Sequence, residues 1–576
     1  MLQRTITTLA ALSVAATTAV ADNRQQLDSR ADSEINWSEC NKTLVATKLP
    51  SECADFKVPL DYTNKSDSRT INLQIARIKA KTQPSKGTIL LNFGGPGQAG
   101  RSSLGSQADL LQAMSGYEYD LAAFDSRGTV DTIPEDCFRT PKAKQEFLES
   151  QSIWFDETPD TLSDMWDRAK YNAEECYKAF KDTQEFIGTG FVARDLISVV
   201  DALGEDGALR YWGFSYGTTL GATVASMYPE RVDKMILDGV QNPHEYYHAD
   251  ADYEEWIDSD RVFSEIFRSC AKAGPLKCPM AAANFTGEEL EEVAWSLAEK
   301  LRDDPIPVKG YPPLQYGIMR AMFTSAVYGP TGWPQLATLL SLMYTNQTDT
   351  ELFTQVYESS LGGLIAAIDT YTPLFGIHGA DKTVRLESLE EYLPVQERLN
   401  KISKVMDGAA TSVNMACGVW KSDAAGPYTG DFQTKTKNPV LFSSNKYDGH
   451  TPLQSAKNVS SGFEGSGLLV VNGFGHTTLS QPSVCTIKRT AAYWHDGSMP
   501  EEGFVCEVDG APYSDYTWVN ATLAAYKKPD NSTGNSGDDD GEDKPADVVD
   551  DSAASHNTFA TSVVAIAMAF ALFSTF

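Results

Sequence analysis

A serine between two glycines, in the segment Gly213-Phe-Ser215-Tyr-Gly217, is the part of the sequence best suited to nucleophilic chemistry. The apolar run LRYW before it is typical of a strand, and the small, apolar run 218–227 after it is typical of a buried helix. Flanking glycines allow a serine to occupy a sharp strand-to-helix turn with its hydroxyl exposed. The pattern therefore predicts that Ser215 attacks a carbonyl carbon and forms an acyl intermediate.

The base that would activate this serine is identified by elimination among the later histidines. Where a serine occupies such a turn, an acid and then a histidine follow it along the chain. His476 lies in the glycine-rich loop NGFGHTT after the apolar run 468–471, which favours it as the general base. The other three late histidines are less suitable. His450 lies beside the candidate acid, His495 lies in a helical segment and His556 lies in the tail.

Asp448 is the preferred acid. It follows the apolar strand 439–442 and the short loop SSNKY, a position from which a carboxylate can orient an imidazole and stabilise its cation. Asp238, at the end of the apolar run MILD, is the alternative, and we assign it a structural role.

Two backbone N–H groups must face the oxyanion that develops during acyl transfer. Tyr216 follows the nucleophile directly and would supply the first. The second is expected from the glycine-rich loop 92–100, NFGGPGQAG, with Gly94 and Gly95 as candidates. This loop lacks the Gly-Lys-Ser/Thr ending of a P-loop and the spacing of a dinucleotide-binding turn, so we do not interpret it as a phosphate site.

Strand and helix signals alternate around these residues. The expected strands are 71–75, 87–92, 121–124, 209–212 and 234–238, and the expected helices include 193–203. Strands that alternate with helices indicate a parallel sheet with helical crossovers.

Several blocks together resemble one family. The segments FGGPGQAG, FDSRG, YWGFSYGTTLGATVASMYPERVDKMILDGV, NKYDGHTP and NGFGHTTL resemble the α/β-hydrolase family of tripeptidyl aminopeptidases and prolyl iminopeptidases, and residues 415–513 resemble its tripeptidyl-aminopeptidase-like C-terminal region. The resemblance covers about residues 37–513. It implies an α/β-hydrolase fold, a mostly parallel twisted sheet with helices on both faces and a helical cap insertion. It also implies the triad Ser215, Asp448 and His476, with an oxyanion contribution from the loop of Gly94.

The insertion 241–407 separates the serine from the acid and histidine, and it is expected to form the helical cap. The resemblance implies that acids of the cap bind the free α-ammonium of a peptide. The candidates lie in one acidic run, which could equally be a solvated helix face: Asp250, Asp252, Glu254 and Glu255.

A second chemistry is encoded in His244-Glu-Tyr-Tyr-His248, which matches the H-E-x-x-H pattern of zinc metalloproteases. The segment lies just after the strand MILDGV and lacks the histidine of the extended metzincin motif. Zinc catalysis would also leave the serine, aspartate and histidine arrangement without a role. We therefore keep it as a remote alternative and expect no metal or other cofactor.

Both ends of the chain carry targeting signals. Residues 1–21 combine Arg4, an apolar stretch and the cleavage site Ala-Val-Ala, as in a secretory signal peptide. Small residues at 552–554, a polar spacer and the apolar tail 563–573 match a GPI-attachment signal with Ser552 as the attachment site. The expected organisation is: signal peptide 1–21, first core part 22–240, cap 241–407, second core part 408–528, disordered acidic stalk 529–552 and GPI propeptide 553–576.

Composition agrees with an extracellular protein. The chain of 576 residues has 48 Lys plus Arg against 78 Asp plus Glu, a net charge of −30, which argues against nucleic acid as a partner. Nine cysteines fit an oxidising compartment, and sequence proximity suggests Cys40–Cys53, Cys270–Cys278, Cys485–Cys506 and Cys137–Cys176, with Cys417 left over. Eight N-glycosylation sequons begin at Asn36, Asn41, Asn64, Asn284, Asn346, Asn458, Asn520 and Asn531.

The sequence therefore predicts a secreted serine hydrolase held by a GPI lipid in the outer leaflet of the plasma membrane or in the cell wall. An exopeptidase that cleaves near a free N-terminus is favoured through the family resemblance. A carboxylesterase or lactonase acting on a small ester is the alternative, since the same catalytic groups serve both reactions. A catalytically silent binding protein is the third class.

Overall fold

The computed structural model describes residues 34–134, 137, 158–366 and 371–527. The expected signal peptide, the acidic stalk and the GPI propeptide, with the candidates Asn531 and Ser552, lie outside these residues. The described chain builds one 10-stranded sheet in the order β1-β2-β3-β5-β4-β6-β7-β8-β9-β10. The strands are β1 (Ser38–Glu39), β2 (Ser51–Pro59), β3 (Thr70–Ile78), β4 (Thr88–Asn92), β5 (Asp120–Phe124), β6 (Leu209–Phe214), β7 (Val232–Asp238), β8 (Leu441–Tyr447), β9 (Gly467–Phe474) and β10 (Val505–Glu507).

The sheet is mostly parallel. The pairings from β5 through β4 to β10 are parallel, and the pairings among β1, β2, β3 and β5 are antiparallel. The helices are α1 (Gly100–Met114), α2 (Pro159–Phe180), α3 (Thr189–Ala202), α4 (Tyr216–Met227), α5 (Pro243–His248), α6 (Ser259–Ala273), α7 (Gly287–Lys300), α8 (Tyr316–Ala326), α9 (Trp333–Tyr344), α10 (Glu351–Ala366), α11 (Tyr371–Asp381), α12 (Leu389–Ile402), α13 (Asp407–Gly418), α14 (Leu453–Ser461), α15 (Val484–Asp496) and α16 (Trp518–Tyr526).

The central strands are covered on both faces. All six residues of β6 are buried. Tyr211 packs into the larger hydrophobic cluster, whereas its neighbours Trp212 and Phe214 pack into a second cluster with α1 and α15. Burial on both faces is what a parallel sheet between two helical layers requires. The expected fold class, a mostly parallel sheet with helices on both faces, is confirmed.

The segment between β7 and β8 forms the helices α5 to α13 and, among its described residues, adds no strand to the sheet. One local expectation was wrong. The segment SSNKY is not a loop but the continuation of β8, where Ser444 pairs with Val470 and Asn445 with Val471 of β9. The side chains of Ser443, Ser444 and Asn445 are buried, and those of Ser444 and Asn445 are hydrogen-bonded. The polarity of the segment therefore gave a misleading signal.

The structure contains the four cysteine pairs suggested by proximity: Cys40–Cys53, Cys137–Cys176, Cys270–Cys278 and Cys485–Cys506. Cys417 is a buried free thiol whose pKa burial raises to about 12. All seven sequon asparagines within the described residues are exposed: Asn36, Asn41, Asn64, Asn284, Asn346, Asn458 and Asn520. Within the described ranges, the helices are too short or too polar to span a bilayer.

Candidate active site

Ser215 occupies the turn between β6 and α4 with φ +57° and ψ −129°. A residue with a side chain rarely adopts a positive φ, so the surrounding packing must enforce it. The two flanking glycines leave no room for a larger residue. A Cβ on Gly213 would lie 2.2 Å from the backbone oxygen of Gly217, and one on Gly217 would lie 2.5 Å from that of Asn92. The glycines are therefore required for the turn that presents the serine.

Asp448 and His476 are in contact, as the sequence predicted. His476 Nδ1 lies 3.0 Å and 3.2 Å from the two carboxylate oxygens of Asp448. The buried carboxylate also accepts hydrogen bonds from the backbone N–H groups of His450, Thr451 and Thr477. This set of donors fixes the carboxylate, which in turn fixes the imidazole.

The ionisation of Asp448 determines which imidazole nitrogen carries the proton. Burial alone would raise the pKa of Asp448, but the charge and hydrogen bond of His476, with the backbone donors, hold it below its usual value. An ionised carboxylate can only accept hydrogen bonds, so Nδ1 of His476 donates. Nε2 is then left with the lone pair that a general base needs.

Asp238 connects the two halves of the site without contacting the imidazole. Its backbone oxygen accepts a hydrogen bond from Ser215 N at 3.0 Å. Its carboxylate accepts from the backbone amide and the hydroxyl of Thr478, at 2.8 Å and 2.5 Å. Burial raises the pKa of Asp238 to about 7, although Thr478 opposes this. Asp238 therefore has the structural role that the sequence assigned to it.

Two groups that the sequence did not identify hold the histidine loop. Asn445 Nδ2 lies 2.9 Å and 2.7 Å from the backbone oxygens of Gly475 and Thr477, and 2.8 Å from Ser480 Oγ. From the cap, the backbone oxygen of Tyr328 accepts a hydrogen bond from His476 N at 2.7 Å. The contact of Asn445 with this loop could have been predicted only if the segment SSNKY had been assigned to a strand.

The glycine-rich loop lies against the nucleophile. A Cβ on Gly94 would lie 2.8 Å from Ser215 Cβ and 3.2 Å from Tyr216 N, so only glycine fits there. Gly94 N donates to Asn92 Oδ1 at 3.0 Å and is thus already engaged. Gly95 and Tyr216 are the better candidates for the two oxyanion donors.

An acidic pocket lies beside the triad. Glu245, Asp252 and Glu255 line it together with Thr451, whose hydroxyl lies 3.1 Å from His476 Nδ1. Burial, reinforced by the neighbouring carboxylates, raises the pKa of Glu255 well above its usual value and that of Glu245 to about 7. A cationic group in this pocket would relieve the repulsion between the acids.

The four predicted cap acids therefore differ in position. Asp252 and Glu255 line the acidic pocket, and Asp252 also lies 3.3 Å from Lys382 Nζ. Glu254 is hydrogen-bonded to Asn242 and to two side chains of α14, and Asp250 is paired with Tyr253. Glu245 was missed as a pocket residue because the H-E-x-x-H pattern assigned it to a metal site.

The H-E-x-x-H segment forms the six-residue helix α5. Its first histidine, His244, has its ring edge-on to Phe432, and His248 Nδ1 lies 3.3 Å from Thr383 Oγ1. Glu245 accepts a hydrogen bond from the backbone N–H of Glu254. Across the described ranges, no group of three or more His, Cys, Asp or Glu side chains is arranged to hold a metal ion.

The two other late histidines within the described residues, His450 and His495, do not pair with the Asp448 carboxylate through a ring nitrogen as His476 does. His450 is buried with its ring 3.6 Å from that of Tyr328, and it lines the acidic pocket. Burial lowers its pKa well below the usual value. His495 is exposed and its Nδ1 lies 2.8 Å from Oε2 of Glu118, which comes just before β5.

Comparison with known proteins gives two family matches. Residues 87–270 match the model described as "alpha/beta hydrolase fold", and residues 403–506 match the model described as "TAP-like protein". The serine protease Hip1 of Mycobacterium tuberculosis is 26% identical over 502 residues, covering 82% of this chain and 91% of that protein. The tripeptidyl aminopeptidase of Streptomyces lividans is 24% identical over 500 residues, covering 83% of this chain and 87% of that protein. The crystal structure of esterase E22 aligns with a TM-score of 0.32 at 13% identity, covering 77% of this chain and all of that one.

Proposed function

The chain is a serine hydrolase of the α/β-hydrolase fold with a tripeptidyl-aminopeptidase-like C-terminal region, and we propose that it is an exopeptidase acting near a free N-terminus. Ser215 Oγ attacks the carbonyl carbon while His476 accepts its proton, and Asp448 stabilises the resulting imidazolium. Gly95 N–H and Tyr216 N–H stabilise the oxyanion. His476 then protonates the leaving amine, and water hydrolyses the acyl-enzyme.

The observation that supports the acyl-transfer mechanism is the pairing of Asp448 with His476. The pairing leaves Nε2 of His476 as an acceptor, and Asp238 links the serine turn to the histidine loop through Ser215 N and Thr478. This arrangement fits acyl transfer and does not by itself select peptides over esters.

The acidic pocket supports the exopeptidase assignment. The three carboxyl groups of Glu245, Asp252 and Glu255 outnumber the one cation beside them, Lys382, so a bound ammonium would favour their ionised forms. Thr451 is common to the pocket and the triad. An α-ammonium bound there would lie on the Asp448 and Thr451 side of His476, where it could form salt bridges with these acids. The relatives named serine protease and tripeptidyl aminopeptidase agree with a peptide substrate.

The test compares p-nitroanilides of free and N-blocked tripeptides, and of proline, with p-nitrophenyl esters. The wild-type protein and Ser215→Ala are assayed side by side. We expect serine-dependent release from the free-amino anilides and little release from the blocked ones. Turnover of esters alone would refute the peptidase assignment. Activity that survives Ser215→Ala but is lost with a chelator would assign the chemistry to His244 and His248.

We also propose that the protein is secreted, N-glycosylated and tethered by a GPI lipid at Ser552. Supporting features are the apolar N-terminal stretch, the C-terminal tail signal and the exposed sequon asparagines. Phosphatidylinositol-specific phospholipase C should release the protein from intact cells, and peptide N-glycosidase should lower its apparent mass. Protein that stays in the cell after lipase treatment, or that lacks glycans, would contradict this part of the proposal.

A further inference from the structure

The hydroxyl of Tyr216 is bound by a buried chain of hydrogen bonds that ends in the cap. Tyr216 Oη lies 2.5 Å from Thr189 Oγ1, at the start of α3. Thr189 Oγ1 donates to the carboxylate of Asp381, the last residue of the cap helix α11. When Asp381 is ionised, the threonine gives its one hydroxyl proton to the carboxylate and accepts the proton of Tyr216. The direction of these hydrogen bonds is fixed in that ionised form.

At the cap end of this chain of hydrogen bonds, the carboxylate of Asp381 is fixed by further donors. The Asp381 carboxylate also accepts the backbone N–H of Thr189, at 2.9 Å and 3.1 Å, and the hydroxyl of Tyr246 from α5, at 3.1 Å. The rings of Tyr246 and Tyr216 pack against each other at 5.6 Å. Asp381, Thr189, Tyr216 and Tyr246 are all buried, so water does not compete for these bonds.

We propose that Thr189 and Asp381 are positioning residues that set the oxyanion donor of Tyr216 by holding its side chain. Tyr216 is the residue whose backbone N–H faces the oxyanion, and its ring and hydroxyl fix the first turn of α4. The contacts that α5 and α11 of the cap make with Tyr216 and Thr189 are thereby coupled to transition-state stabilisation. The inference rests on the proposed catalytic role of Ser215 and Tyr216.

The alternative is that these bonds only satisfy buried polar groups, which would affect folding but not the chemical step. Kinetics can distinguish the positioning role from the purely structural one, because a displaced oxyanion donor lowers kcat without weakening ground-state binding. Loss of a whole oxyanion donor costs about 10²–10³ in kcat, so partial displacement should cost about tenfold.

The experiment assays the full-length protein, produced in a secretory host, on a p-nitrophenyl ester that needs no ammonium site. Tyr216→Phe and Thr189→Val should each lower kcat about tenfold with KM within twofold of wild type. Affinity for a boronic acid that forms a tetrahedral adduct on serine should fall in parallel. Thr189→Ser, which keeps the hydroxyl, should restore kcat.

The matched control is Tyr357→Phe. Tyr357 is a buried tyrosine of the cap helix α10 whose hydroxyl donates to the backbone oxygen of Pro312 at 3.0 Å, outside the chain to Asp381. We expect it to retain the wild-type kcat. Wild-type kcat in Tyr216→Phe and Thr189→Val, or an equal fall in Tyr357→Phe, would overturn the inference while Ser215→Ala remains inactive. Ester turnover by Ser215→Ala would instead refute the proposed function.

Discussion

The carboxylate of Asp238 binds Thr478, two residues beyond His476, and not the imidazole of that histidine. The strand next to that of the nucleophile thus holds the main chain of the histidine loop. Asp448 accepts the hydrogen bond of His476 Nδ1 and so orients the ring. Two buried aspartates at neighbouring strand ends have separate tasks, which mutation can distinguish.

Replacing Asp448 by Asn should lower kcat about 10⁴-fold, because the amide favours the wrong imidazole tautomer. Asp238→Asn should keep kcat within about tenfold of wild type and mainly lower the free energy of unfolding. Steady-state kinetics on the preferred substrate, with Ser215→Ala as the background, measures both effects. Equal losses of kcat in the two variants would contradict this division.

Asn445→Ala should destabilise the histidine loop. It removes the donor to two buried backbone oxygens and to Ser480, at a cost of about 2–4 kcal/mol in the free energy of unfolding. Asn414→Ala is the control, since Asn414 is also buried but its amide donates to one backbone oxygen, that of Ala410. Urea unfolding should show the larger loss for Asn445→Ala, and kcat should fall in that variant only. Identical behaviour of the two would refute a special role for Asn445.

Neutralising the acidic pocket should affect only substrates with a free amino group. Glu255→Gln and Glu245→Gln should each raise KM for a free tripeptide anilide about tenfold, the equivalent of one charge-assisted hydrogen bond. KM for an N-blocked ester should not change. Asp250→Asn, an acid of the same run that is paired with Tyr253, serves as the control. An unchanged KM for the free peptide in both Glu variants would exclude the pocket as the ammonium site.

The contribution of Asp381 to stability should decline as pH rises. Burial raises its pKa to about 7 in the folded protein, above the ordinary value near 4 that applies in the unfolded chain. Between these values the folded state binds the proton and the unfolded state does not, so stability falls with increasing pH. The contribution is complete below about pH 4 and is lost by about pH 7.

The measurement compares urea unfolding of the wild type and Asp381→Asn from pH 4.5 to 8. The wild type should lose stability relative to the variant by about 3 kcal/mol between about pH 4.5 and 7, since each unit of pH is worth about 1.4 kcal/mol per proton. Other titrating groups are common to both proteins and cancel in the difference. Parallel curves would show that Asp381 does not titrate in this range.

Much of the fold and the candidate triad could be predicted from local sequence signals. The strands β3 to β7 and the helices α3 and α4 lie within a few residues of the expected segments, because buried runs and helical spacing are local properties. His476 and Asp448 were found because glycine-rich loops after strands are also visible locally.

The missed features depend on contacts between distant parts of the chain. Asn445 and Asp381 contact segments 30 to 192 residues away, and neither carries a local sign of its partner. Their polarity even argued for exposure, whereas both are buried among hydrogen-bond donors or acceptors. Likewise, the motif around Glu245 indicated zinc, but its carboxylate lines the acidic pocket and accepts a hydrogen bond from Glu254 N.

The hydrogen bond from His476 N to the carbonyl of Tyr328 has a consequence for protein engineering. Tyr328 belongs to the cap, and the neighbouring Gly329 leaves so little space that a Cβ on Gly475 would lie 2.6 Å from its Cα. A chimaera that exchanged the cap of this enzyme for that of a relative would remove the contacts of Tyr328 and Gly329 with the histidine loop. Transplanting substrate preference therefore requires grafts that retain the 326–332 turn of the recipient, with the donor cap joined on either side of it.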